Sequence, residues 1–317
     1  METILSINNL NKSFGSKQII KNASFDVYAG EIFGFLGPNG SGKTTTIKMI
    51  MGFLYPDSGD ITICGYNVKK NYEKAMNLVG GIVENPEMYK EMTGLQNLQM
   101  YGRLHDGVTK ERIKEVAEIV GMQSRVNERL KKYSLGMKQR IGLAQAILHK
   151  PRLLILDEPT NGLDPAGIKE LRDILKKLAH EENVAVLVSS HMLAEMELMC
   201  DRVAIIDKGT ILDVKPIEEI LHMVARQETY KFELDSSQFE QAKQVLSSAY
   251  EEENIVSGSE IIENGRATLS VAVPSDKIPE INKLLVENNI AVYAIGRVEN
   301  SLEDAFIEIT GGGISIA

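Results

Sequence analysis

Eight residues, Gly37-Pro38-Asn39-Gly40-Ser41-Gly42-Lys43-Thr44, constrain this chain more than any other stretch. They follow a short apolar run, Glu31-Ile32-Phe33-Gly34-Phe35-Leu36, that reads as a strand. They precede residues 44–52 (TTTIKMIMG), which read as a helix. Strand, glycine-rich turn and helix in that order make a phosphate loop. Glycines at 37, 40 and 42 let the backbone wrap closely, so that successive N–H groups point inward at an anion. The helix opening at Lys43 brings its positive dipole end to the same spot. Lys43 is expected to reach the outer phosphates of a nucleoside triphosphate, and the Thr44 hydroxyl to ligate Mg²⁺.

A second run carries acids. Leu153-Leu154-Ile155-Leu156-Asp157-Glu158 is continuously apolar until its last two residues. It reads as a buried parallel strand delivering carboxylates to its C-terminal end, where ligands sit in open α/β sheets. Asp157 would hold Mg²⁺, directly or through water, and Glu158 would polarise an attacking water. Upstream lies Tyr133-Ser134-Leu135-Gly136-Met137-Lys138-Gln139-Arg140, which opens a helical pattern. Ser134 suits its N-cap, and Gly136 leaves backbone N–H groups open to an anion.

Composition narrows the class. The 317 residues suggest two domains. No apolar run approaches the ~20 residues that a membrane-spanning helix needs. The N-terminus lacks a basic start followed by an apolar core, so no secretory signal is expected. Cys64 and Cys200 form no paired motif, and none of the five histidines falls in a metal-ligand spacing. A soluble cytoplasmic protein is the expectation. Charge locates a boundary: residues 1–222 carry 28 basic and 28 acidic side chains, whereas 223–317 carry 7 and 16. The entire net charge of −9 therefore resides in the last 95 residues, an acidic unit unsuited to nucleic acid.

In order and spacing these motifs resemble the ATP-binding-cassette (ABC) ATPases over about residues 3–215. YSLGMKQR looks like a variant of the family's C-loop, usually LSGGQ. Pro159-Thr160-Asn161-Gly162-Leu163-Asp164-Pro165 matches its D-loop, and Ser189-Ser190-His191, after a second apolar strand, its H-loop. The resemblance implies that Phe14 stacks on adenine and that residues 37–45, with Thr45 closing the loop, hold ATP. It also implies that His191 contacts the γ-phosphate, and that Ser134, Gly136 and Asp164 serve a nucleotide shared with a second cassette. Hence a homodimer, or a pair with a close paralogue, is implied, together with membrane-spanning permease subunits on separate chains that hold it to the inner face of the membrane. The implied fold class is α/β, a RecA-like core with antiparallel β and helical subdomains (1–222, helical part about 86–149); the unit after it (223–317) reads, from its own order of elements, as a small C-terminal α+β ferredoxin-like domain.

Two departures sharpen the subtype. The C-loop has Leu135 where the first glycine of S-G-G is usual. Where the family usually carries Gln, the chain reads Val83-Glu84-Asn85-Pro86. An ionised Glu84 accepts but cannot donate, so metal or water contact stays open, as does a role in coupling to the permease. Both features resemble the bacitracin-exporter and lantibiotic self-protection ATPases. Export of a drug, lipid or ion, or nucleotide sensing without transport, remain the alternatives. By family, the surface from Glu84 through residues 87–101 receives a helix of the membrane subunit; Met88, Tyr89, Met92 and Met100 are candidates for that contact or for core. Residues 109–120 read as an amphipathic helix capped by Thr109, with apolar positions 113, 116, 117 and 120.

In the last unit, Tyr230, Phe232 and Leu234 alternate as a strand, after a helical segment that reaches about Arg226. A helix over 238–249, strands over 254–262 and 266–273 joined at Asn264-Gly265, a helix over 276–288, a strand over 290–296 and a helix over 300–309 are expected.

Overall fold

Three β-sheets organise the described residues of the chain. In this computed structural model, residues 1–84, 86–220, 229–249, 260–262 and 265–297 are described. Strands β1 (Thr3–Phe14), β2 (Lys17–Tyr28), β4 (Ser58–Ile63) and β5 (Tyr66–Asn67) form an antiparallel sheet of order β2-β1-β4-β5. The second sheet comprises β3 (Ile32–Leu36), β6 (Val79–Ile82), β7 (Leu153–Asp157), β8 (Ala185–Ser190), β9 (Arg202–Asp207) and β10 (Thr210–Pro216). Its order is β10-β9-β3-β8-β7-β6, parallel except where β10 pairs antiparallel with β9. Strands β3, β7 and β8 are buried along their whole length, which explains their unbroken apolar runs. Phe25 stacks on Phe33 with ring centroids 5.3 Å apart, and Ile47 and Ile50 join the same core.

Helix α1 (Lys43–Ile50) follows β3, and α2 (Tyr72–Met76) precedes β6. The predicted helix over 44–52 stops two residues early. Gly52 sits at φ 71°, and Phe53 N–H donates back to the Lys48 carbonyl at 2.8 Å, a left-handed C-terminal cap.

Between β6 and β7 lie α3 (Gly94–Gly102), α4 (Lys110–Ile119) and α5 (Leu135–Ala146). Thr109 caps α4 by accepting from Arg112 N–H at 3.2 Å, and Ile113, Val116, Ala117 and Val120 are all buried, as their spacing predicts. Helices α6 (Pro165–Lys176) and α7 (Leu193–Met199) flank β8 in sequence.

The chain separates into two compact units, Met1–Ile217 and Glu218–Ala317. In the second, β11 (Thr229–Asp235), β12 (Glu260–Ile262), β13 (Arg266–Ala272) and β14 (Val292–Arg297) form an antiparallel sheet of order β12-β13-β11-β14. Helices Phe239–Ala249 and Ile278–Glu287 contribute Ala242, Leu246, Ile281 and Leu285 to a core shared with Phe232, Leu269 and Val271. The last strand begins at Val292 rather than at 290. Asn289, at φ 58°, ends the preceding helix, and Ile290 N–H still donates to the Leu285 carbonyl at 3.0 Å. The expected helix over 300–309, the first part of the strand over 254–262, residues 221–226 of the preceding helical segment, Asn264 and Asn85 lie outside the described residues.

Candidate active site

The phosphate loop joins β3 to α1, and two of its glycines are required for different reasons. Gly42 caps α1 at φ 113°, an angle that L side chains rarely adopt. Gly37 is needed for space: a Cβ there would strike the Ile206 carbonyl and Ser41 Oγ. Pro38 is half-buried, and Asn39 and Gly40 are exposed at the tip. Thr44 and Thr45 sit half-buried on the first turn of α1, where helical N–H groups lack intrahelical partners. Ser41 Oγ is buried and has no hydrogen-bond partner among the described residues. A partnerless buried hydroxyl beside a helix N-terminus and a buried lysine fits the oxygens of a phosphate.

Lys43 is 5% exposed and folds back over the loop. Its ammonium donates to the Gly37 carbonyl at 2.7 Å and the Pro38 carbonyl at 3.3 Å, and lies 3.2 Å from Glu158 Oε1. Glu158 stands one residue beyond the end of β7 at φ 49°, left-handed for a non-glycine residue. Such backbone strain persists only where surrounding contacts hold it. Here Glu158 N–H donates to Ser189 Oγ at 2.9 Å, and Glu158 Oε2 lies 2.9 Å from His191 Nδ1. The parallel pairing of β7 with β8 sets Asp157 opposite Ser189. Ser189 Oγ donates to the buried Asp157 carboxylate at 2.6 Å. Lys43, Asp157, Glu158 and His191 are thus brought together at the C-terminal ends of neighbouring strands, where open parallel sheets place their ligands.

The remaining predicted residues sit elsewhere. Ser134 caps α5, its hydroxyl accepting from Met137 N–H at 3.3 Å. Asp164 caps α6, accepting from Gly167 N–H at 3.0 Å. A Cβ on Gly136 would lie 3.6 Å from Leu163, and Arg140 pairs with Glu170, so the two capped helix starts pack side by side. Phe14 closes β1 with its ring 53% exposed and Lys12 Nζ 5.5 Å from its centroid. Glu84, at φ 65°, pairs with Lys48 of α1 at 2.9 Å in an exposed bridge.

Beside Glu84 opens a groove of about 540 Å³, lined among others by Met51, Phe53, Glu87, Tyr101, Gly142 and Gln145. Tyr89 and Met92 are exposed and Met88 and Met100 half-buried, so none of the four is core.

Sequence reasoning missed the hydroxyl partners. Ser189 and Thr160 were visible only as members of the runs that carry His191 and Asp164, and Glu195 carried no signal. Thr160 Oγ1 donates to Glu195 Oε2 at 2.6 Å. An alternation of strand end and hydroxyl could have flagged Ser189; nothing local flags Glu195, which acts across a gap of 35 residues.

Residues 20–161 match the family model described as ABC transporter. The chain is 47% identical to the uncharacterized ABC transporter ATP-binding protein YhcH of Bacillus subtilis (strain 168), over 98% of this chain and 97% of that protein. It is 41% identical to the bacitracin transport ATP-binding protein BcrA of Bacillus licheniformis, over 99% of each. Among solved structures, one described as an ATP binding subunit of an ABC transporter is similar at 28% identity. It has a TM-score of 0.63 and covers 70% of this chain and 93% of its own.

Proposed function

The chain belongs to the ATP-binding proteins of ABC transporters, which hydrolyse ATP to power transport, and from that premise we propose how its residues divide the work. The carrying observation is Glu158, strained at the end of β7 and gripped by Lys43 and His191 beside the buried Asp157. ATP is cradled by residues 37–45. Lys43 and the Ser41 hydroxyl face its phosphates, and the exposed ring of Phe14 takes the adenine. Thr44 and Asp157 would hold Mg²⁺, whose charge offsets that of the phosphate oxygens. Glu158 accepts a proton from the attacking water, and His191 steadies that carboxylate and contacts the γ-phosphate. Hydrolysis here depends on positioning and electrostatic stabilisation.

Ser134, Gly136 and Asp164 serve the site of a second cassette. They sit on capped helix starts that pack on each other, a face suited to closing over another chain's nucleotide. We place the membrane-spanning subunits on separate chains, as the family implies; among the described residues no helix is long and apolar enough to cross a membrane. The groove beside Glu84, lined by Phe53, Glu87 and Tyr101, receives a short helix of that partner, which keeps this chain at the inner face of the membrane. Glu84 couples the partner's movement to α1 through Lys48. The cargo we assign is a peptide antibiotic, carried over from the relative named for bacitracin transport. The second unit we read as ferredoxin-like, on its strand order and its two helices.

The test is Glu158→Gln, which removes a negative acceptor at nearly constant volume. ATP binding should persist, turnover should nearly vanish, and trapped ATP should stabilise a cassette dimer by mass action. Turnover within about tenfold of the wild type would assign the base elsewhere.

A further inference from the structure

Two loops that the reaction uses end on one carboxylate oxygen. Glu195 Oε2, on α7, accepts from Thr160 Oγ1 at 2.6 Å and from Ser190 Oγ at 3.1 Å. Both hydroxyl-bearing residues are buried, at 4% and 1% exposure. Thr160 opens the turn that leads to Asp164: its carbonyl accepts from Leu163 N–H at 3.0 Å. Ser190 brackets His191, because its hydroxyl also accepts from Met192 N–H at 3.0 Å. The turn carrying His191 and the turn carrying Asp164 are therefore fastened to the same atom. Satisfying two buried hydroxyls would require only any two acceptors. Sharing one charged acceptor makes the two positions interdependent, since each bond's length and direction constrain the other.

We propose that Glu195 is a positioning residue that locks the His191 turn to the Thr160–Asp164 turn, so that γ-phosphate contact and the face offered to a second cassette are set together. This rests on the roles given above to His191 and Asp164. It adds a mechanical link between them, running Ser190–Glu195–Thr160 and lying within a single chain.

The experiment is a double-mutant cycle on ATP turnover by the full-length protein, with Thr160→Val, Glu195→Ala and the pair, and with Thr160→Ser as the conservative control. Thr160→Val keeps shape and removes the hydroxyl. It should lower kcat by about tenfold, the scale of one charge-assisted hydrogen bond, leave KM for ATP within about twofold, and lower the thermal midpoint by no more than a few degrees, which Thr160→Ser would not do. Thr160→Ser should restore kcat. In the Glu195→Ala background, Thr160→Val should have no further effect. Multiplying losses in the double variant, equal losses for Ser and Val at position 160, or wild-type kcat in Glu195→Ala would each overturn the proposal. A purely structural role would instead lower the melting temperature without splitting kcat from KM. Failure of the broader reading is separately visible: it would appear as turnover surviving Glu158→Gln, and the non-additivity of the cycle does not depend on which group is the base.

Discussion

The two units of this chain bury different kinds of atoms. In the first, Lys43, Thr46, Asp157, Thr160, Ser189 and Ser190 are all buried, and each has a hydrogen-bond partner. In the second, the described interior is built from Phe232, Leu234, Leu246, Leu269, Val271, Ile281 and Leu285, with Thr268 and Ser270 as the buried polar residues. Enclosing a hydroxyl or a charge costs free energy unless every bond lost to water is replaced. A fold that only had to hold its shape would fill that volume with apolar atoms, as the second unit does. The contrast teaches where to look for chemistry: in the interior that tolerates polarity.

The hardest blow to this contrast would come at Lys43. Lys43→Ala should cut ATP turnover by about 10³-fold or more, while the melt without nucleotide shifts by less than about 4 °C. Calorimetry showing a collapsed fold would make the buried cation a structural strut and erase the distinction. Next in size is Phe232→Ala, which empties a fully buried site in the second unit. It should destabilise that unit by about 3–5 kcal/mol, seen in denaturant titration. ATPase activity at temperatures where the first unit is folded should not change. A parallel loss of activity would draw the second unit into the site.

A smaller effect is expected from acid. Burial holds His149 below the ordinary histidine range, and His105, stacked at 4.1 Å, reinforces this, as does Arg112. Its depressed folded value means that the unfolded chain takes up the proton first. The stability due to neutral His149 is thus full above the ordinary value of 6.5 and is lost as pH falls through the lower folded value. Urea midpoints measured from pH 7.5 to 5 should fall more steeply for wild type than for His149→Gln; equal slopes would show that burial of His149 is not felt. The smallest change belongs to the exposed Glu84–Lys48 pair. Glu84→Gln should alter stability by less than about 1 kcal/mol and isolated turnover by less than about threefold. A larger loss of turnover would move Glu84 from the coupling surface into the catalytic cluster.

Much of this was legible in the amino-acid order because the physics is local. Gly42 must be glycine for its angle, Ser134 and Thr109 are helix caps recognisable from the residues after them, and the apolar runs of β7 and β8 announce buried strands. What stayed hidden is what the sheet assembles. Ser189 reaches Asp157 only because β7 and β8 pair in register, a bond across 32 residues. Lys48 as the partner of Glu84, and Glu195 as the shared acceptor, likewise depend on elements meeting in space. The end of α1 before Gly52 and the start of β14 after Asn289 were each misjudged by two residues, because a residue with left-handed backbone stands at each boundary.

Helix α5 carries one further consequence. Its N-terminus is Ser134, and two of its later residues, Gly142 and Gln145, line the groove beside Glu84. The two residues that follow it are held: the buried Arg112 of α4 donates to Ile147 O at 2.7 Å and to Leu148 O at 3.2 Å. At about 1.5 Å per residue, the groove contacts lie roughly 10–15 Å along a single rod from the capped end. On the roles proposed above for the groove and for Ser134, a partner seated in the groove and a nucleotide held at Ser134 would be linked through this one helix.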